Sequence, residues 1–311
     1  MNYFRSFFLA MLYLVIMGFS EASPENSIYD VQDKGTDSLS KENLTEITQY
    51  DGYNLVWSDE FNVDGIPDNK WSYEEGFVRN EELQWYQPDN ATITDGCLVI
   101  AGRKEQVKNP NYVADSQDWR KNRKTAEYTS SCLTTAKSYS FKYGRIEVRA
   151  KIPVTIGSWP AIWTLGNKWN WPFCGEIDMM EFYRRSEPII LANACWGGAT
   201  NEDIWDESTT KLTDFTDNDP EWATKFHIWR MDWDKDYIRL YLDGKLLNEV
   251  ELQKSSNRGW QGNFENPFSN DIEGFGHYIL LNLAIGSNGG VPDNSAFPLK
   301  YMIDFVRVYQ K

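Results

Sequence analysis

From Tyr53 to Lys311 the chain is written in short segments whose apolar residues recur at every second position, divided by turn residues. That period restricts what it can fold into. In Gly144-Arg-Ile-Glu-Val-Arg-Ala-Lys-Ile152 the apolar Ile146, Val148, Ala150 and Ile152 fall on one side, and Arg145, Glu147, Arg149 and Lys151 on the other. This is the pattern of a strand with one face buried. Residues 54–57, 97–101, 237–242 and 278–284 read in the same way, and Asp243-Gly244 between two such runs is the two-residue hairpin signal. No long amphipathic helix is visible; residues 219–226 allow at most a short one. The expected fold is all-β, a sandwich of two stacked antiparallel sheets. With no internal repeat and no second core, residues 51–311 read as a single domain of a size that sandwiches reach.

The preceding residues are of another kind. Arg5, an apolar run over residues 7–19 and the small-residue exit Ser20-Glu21-Ala22 read as an export signal over residues 1–22. The run is short for a membrane span. Residues 23–50 are polar, contain no Trp or Phe and cannot bury enough surface to fold alone, so they are expected to be a spacer. The protein is therefore expected to be secreted or periplasmic, and monomeric. A formal net charge of −15 argues against nucleic acid and anionic membranes as partners and favours an uncharged substrate. Cys97, Cys132, Cys174 and Cys195 lack CxxC spacing and read as buried thiols, with a disulfide left open. His227 and His277 are too few for a metal triad and read as structural.

Glu176, Asp178 and Glu181 lie within six residues in the apolar stretch Glu176-Ile-Asp-Met-Met-Glu181. Alternation puts Glu176 and Asp178 on one face and Glu181 on the other. One extra residue in a β-bulge, at Met179 or Met180, would return Glu181 to the face of the other two. Three such neighbours cannot all stay ionised cheaply, because like charges raise one another's pKa values. One carboxylate and one carboxylic acid are the pair that retaining glycoside hydrolysis requires. A solvated surface strand and a calcium site are the other readings of the spacing.

Gly175-Glu-Ile-Asp-Met-Met-Glu181 resembles the signature of glycoside hydrolase family 16, whose members are β-jelly-roll, endo-acting, retaining enzymes. The resemblance runs from about Leu55 to Gln310, through Val56-Trp-Ser-Asp-Glu-Phe61, Tyr143-Gly-Arg-Ile-Glu147, Gly157-Ser-Trp-Pro-Ala-Ile-Trp163, Leu281-Asn-Leu-Ala-Ile-Gly286 and Ile303-Asp-Phe-Val-Arg-Val-Tyr309. It implies Glu176 as nucleophile, Glu181 as acid/base and Asp178 assisting, with no cofactor for catalysis. The Met-Met pair resembles the bulged, laminarinase-like branch, which implies β-1,3-glucan or mixed β-1,3/1,4-glucan as substrate. Trp159 and Trp163 are then expected to line the subsites beside the cut bond. Asn80, Glu82 and Trp85 look like the loop that holds sugars on the non-reducing side. Arg145 either reaches the same cleft or pairs with an acid on its sheet, and Asn193 and Trp196 are expected to face the cleft by strand pairing. A structural calcium on Glu60, the Gly96 carbonyl and Asp304 is also implied. The chain departs from the family at Cys195, which stands where members commonly carry a His near the acid/base. An agarase-like or transglycosylating enzyme and a non-catalytic carbohydrate-binding module remain the alternatives. Linkage preference would be set by the loops at 76–90, 105–125 and 255–275, whose conformations a sequence does not determine.

Overall fold

A computed structural model of the chain describes residues 48–184, 186–257 and 265–311. The expected export signal and residues 23–47 of the expected spacer lie outside the described residues. The strands, in chain order, are β1 (Asn54–Asp59), β2 (Ser72–Glu74), β3 (Gln84–Tyr86), β4 (Ala91–Thr94), β5 (Cys97–Gly102), β6 (Val107–Lys108), β7 (Thr125–Ala126), β8 (Tyr128–Ser130), β9 (Cys132–Thr134), β10 (Gly144–Lys151), β11 (Ser158–Gly166), β12 (Glu176–Tyr183), β13 (Ile189–Gly197), β14 (Asp203–Lys211), β15 (His227–Trp233), β16 (Tyr237–Leu242), β17 (Lys245–Glu251), β18 (His277–Ile285) and β19 (Leu299–Gln310).

Two antiparallel sheets carry the fold. One runs β17-β16-β15-β10-β19-β5-β4 with β1 also paired to β19, and the other runs β14-β13-β12-β11-β18-β9-β2. Between them lies one large apolar core. Ile146, Val148, Trp229, Met231, Val306 and Val308 come to it from the first sheet, and Ile162, Ile177, Met179, Met180, Trp196 and Leu281 from the second. The fold is the all-β sandwich that the alternation implied. Asp243 and Gly244 both have positive φ, at 47° and 82°, and close the β16–β17 hairpin with Leu242 opposite Lys245. All four cysteines are buried, and no disulfide joins any two of them. No helix among the described residues is long and apolar enough to cross a membrane.

The outward face of the first sheet departs from simple alternation. Glu147 is buried because the chain ahead of β1 lies over it, with the Tyr50 hydroxyl donating to Glu147 Oε1 at 2.6 Å. Arg307 is 2% exposed, and Glu60 takes its Nε and Nη2 at 3.0 and 2.7 Å. Asp304 accepts from Arg149 at 2.8 Å. These pairings correct the expected calcium site. Both of its carboxylates, Glu60 and Asp304, are already held by guanidinium groups, so these two residues do not fit a cation as they stand. Glu60→Ala would leave the Arg307 charge buried and unpaired. It is expected to lower unfolding stability by about 3 kcal/mol, with Arg307→Met less harmful because the Glu60 carboxylate it leaves behind is 25% exposed and can be solvated. Urea titrations of the two variants check the order.

Candidate active site

The carboxylate row depends on a register change. Against β11, Met180 pairs with Ile162 and Asp178 with Trp163, so Met179 has no partner of its own. Against β13, Asp178 pairs with Asn193 and Glu181 with Leu191. This is the bulge that the spacing required, and both methionines point into the core. Glu176, Asp178 and Glu181 consequently share the face of the seven-stranded sheet that looks away from the core.

They line one cavity with Arg79, Asn80, Glu82, Trp159, Ala161, Trp163 and Asn282. Trp159 donates its Nε1–H to Glu181 Oε1 at 2.9 Å, and the Tyr183 hydroxyl lies 3.4 and 3.3 Å from the two oxygens of the same carboxylate. Trp163 donates to Asn282 Oδ1 at 2.7 Å, and Asn282 in turn donates to the Tyr86 hydroxyl at 3.0 Å. Arg79, paired with Glu74, lies with its guanidinium carbon 5.0 Å from the Trp163 ring centroid. On the loop before β3, Asn80 donates to Glu82 at 3.3 Å, and Gln84, the first residue of β3, donates to the same carboxylate at 2.6 Å. The long 105–125 connection braces this loop, with Arg120 donating to the Val78 carbonyl and Arg123 to that of Glu82.

The three acids differ in surroundings. Asp178 is buried, its Oδ2 has no partner, and burial followed by the charges of Glu176 and Glu181 holds its pKa well above the usual carboxylate range. Glu181 is pushed up to about 8, first by burial and then by Glu176, although the Trp159 and Tyr183 donors pull it back. Burial also raises Glu176, but more groups oppose the rise. Trp171 donates its Nε1–H to Glu176 Oε2 at 2.6 Å, protonated Asp178 hydrogen-bonds to it, and Arg79 adds a positive charge. Of the three, Glu176 is the one whose rise is most opposed, so it is the first of the row to give up its proton as pH rises. Such a row can supply a nucleophile and an acid together.

Several expected site residues lie elsewhere. Arg145 belongs to the other sheet, where it forks onto Asp232 at 2.6 and 2.9 Å and covers the Tyr50 ring. Trp196 points into the core, edge-on to Phe268, because β13 alternates and its neighbours Asn193 and Cys195 take the site face. Trp85 takes the opposite face of β3 from Gln84 and Tyr86 and packs edge-on to Phe77 at 5.3 Å. Asn193 does share the face of Asp178, where it accepts from the Ser208 amide at 3.2 Å. Cys195 is fully buried and stands opposite Glu176; the partner of Glu181 is Leu191. The departure expected beside the acid/base therefore lies beside Glu176. Arg79, Trp171, Tyr183 and Asn282 were missed. Asn282 was detectable as a lone amide in an otherwise apolar strand, whereas nothing local marked the other three.

The matched family model, Glycosyl hydrolases family 16, spans residues 79–269 and so encloses the whole carboxylate row. The chain belongs to glycoside hydrolase family 16. It is 31% identical over 84% of its length to glucan endo-1,3-beta-glucosidase A1 of Niallia circulans, and covers 38% of that longer protein. Among solved structures, the family 16 chain resembles the laminarinase catalytic domain of Thermotoga maritima, at 34% identity and a TM-score of 0.66 over 83% of this chain and 98% of that one. It also resembles a chain solved in work on endo-acting O-glycanases that human gut microbiota express to initiate mucin breakdown. There the identity is 38% and the TM-score 0.74, over 85% of this chain and 92% of that one. The protein is a glycoside hydrolase, and a family 16 member needs no cofactor for catalysis.

Proposed function

We propose that the protein is an endo-acting, retaining β-glucanase that cuts β-1,3-glucan or mixed β-1,3/1,4-glucan. The single observation that carries this reading is the bulged row Glu176, Asp178 and Glu181 on one sheet face, with surroundings that drive the acids to different protonation states. Glu176 attacks the anomeric carbon while Glu181 gives its proton to the leaving oxygen. Glu181, then ionised and steadied by Trp159 and Tyr183, takes a proton from the water that releases the sugar. Asp178 keeps its proton and hydrogen-bonds to Glu176. Trp159, Trp163, Asn80, Glu82 and Asn282 meet the sugar. The resemblance to the Niallia circulans and Thermotoga maritima proteins supports the substrate class, and the apolar run at residues 7–19 supports export.

A second reading is favoured by the 38% identity to the chain from the O-glycanase work: an endo-acting glycanase of mucin-type O-glycans on the same carboxylate row. Incubation with laminarin, barley glucan, agarose and gastric mucin glycans, with products sized by mass, decides between them. Oligosaccharides from laminarin or barley glucan are expected. Release from mucin alone would establish the second reading, and binding without release from any of the four would leave only a binding module.

A further inference from the structure

The described cavity accounts for one flank of the row, towards β11, β18 and the Asn80 loop. The other flank is built by β13 and β14. Register carries two of the acids across it: Glu176 pairs with Cys195, which pairs with Trp205; Asp178 pairs with Asn193, which pairs with Glu207. Paired residues in antiparallel strands share a face, so Trp205 and Glu207 lie on the face of the acids. The opposite face of β14 is occupied otherwise. Asn248 donates to Asp206 at 3.0 Å, Ser208 donates to the Leu247 carbonyl at 2.6 Å, and Ile204 packs on the core.

On β13 the residues of this face, Leu191, Asn193 and Cys195, are buried. What a ligand can touch here therefore comes from the edge strand β14, where Asp203 and Glu207 are exposed and Trp205 is half-buried. Trp205 donates its Nε1–H to Asp203 Oδ2 at 2.6 Å, which fixes the plane of the ring. Among the described residues no other aromatic ring stacks on it, in contrast to the paired rings of Trp57 and Trp222. Two strand spacings, about 10 Å, separate its backbone from that of Glu176, within reach of the sugars next to the cut bond.

We propose that Trp205 is the stacking platform of a sugar subsite on this flank, and that Asp203 and Glu207 beside it restrict that subsite to uncharged sugars. A flat indole edge held by one hydrogen bond presents its face to the C–H surface of a pyranose, and the two carboxylates repel sulfated or carboxylated rings. The assignment rests on the glucanase reading above.

Laminarihexaose carrying oxygen-18 at its reducing end, together with laminarin and laminarin sulfate, tests it. Trp205→Ala is expected to raise KM for laminarin about tenfold and to move the favoured cleavage of the hexasaccharide by one bond, in one direction only. Trp205→Phe, which keeps an aromatic face, is expected to retain the wild-type pattern. An unchanged KM and bond distribution in Trp205→Ala overturns the platform, as does the same loss in Trp205→Phe. At low salt, the Asp203→Asn, Glu207→Gln double variant is expected to raise kcat/KM on laminarin sulfate relative to laminarin about fourfold; an unchanged ratio overturns the charge filter. A wild-type protein that leaves both laminarins uncut overturns the glucanase reading itself, a result visible before any variant is compared.

Discussion

Glu176→Gly is expected to lower kcat on β-glucan by about 10⁴-fold or more, with the fold intact. No other carboxylate of the row can take its place. Glu176 alone holds a short donor from an exposed indole, Trp171, together with the Arg79 charge and the Asp178 proton, and these oppose burial to keep it ionised. Asp178 and Glu181 are pushed towards the acid form. Azide should restore turnover of an activated oligosaccharide in this variant. The small anion enters from the side the carboxylate has left, so the product should be the α-glycosyl azide. A Glu181→Gly variant should give the β-anomer, because there azide intercepts a glycosyl-enzyme already formed on Glu176. Nuclear magnetic resonance of the two azides separates the roles; the β-anomer from Glu176→Gly would reverse them, and more than about a tenth of wild-type kcat would remove Glu176 from the chemistry.

Glu181→Gln should lower kcat/KM by about 10² to 10⁴ and also abolish the alkaline limb of its pH profile. The proposed mechanism uses Glu176 ionised and Glu181 protonated, so the wild-type profile is expected to rise as Glu176 loses its proton and to fall as Glu181 does, near pH 8. Stability carries the same signature with a definite sign. Glu181 binds its proton more tightly in the folded chain than in the unfolded one, whose carboxyl titrates near 4.5. The stability this confers is fully present below that value and is lost as pH rises towards about 8. Glutamine has no charge to desolvate. The variant is therefore expected to melt about 5 °C above wild type at pH 9, with a much smaller difference at pH 4. Calorimetry at the two pH values checks this, and a variant that melts below wild type at pH 9 would show that the Glu181 charge is not held at a cost.

The legible part of the site was its local part. A strand period places Glu176 and Asp178 together, and the count of residues to Glu181 demands one bulge; the register delivers it at Met179. The assignments that failed depended on which sheet or which face a residue occupies. Arg145 lies on a well-read strand, but that strand belongs to the sheet behind the core and its charge is met by Asp232. Trp196 and Cys195 are neighbours on β13, and only the pairing of β13 with β12 shows which of them faces the acids. Glu60 and Asp304 looked free to hold a cation until Arg307 and Arg149, brought in by β19 and β10, were seen on them.

By itself the sequence determined the all-β fold, the Asp243–Gly244 hairpin, the acid row and its need for a bulge, since alternation, turn chemistry and spacing act between residues near in the chain. Only the tertiary structure decided which acid receives the Trp171 donor, which of the three has its rise in pKa most opposed, and that Trp205 stands in line with Glu176. Those facts rest on contacts between strands whose order in the sheet differs from their order in the chain, and on burial, which is a property of the packed whole.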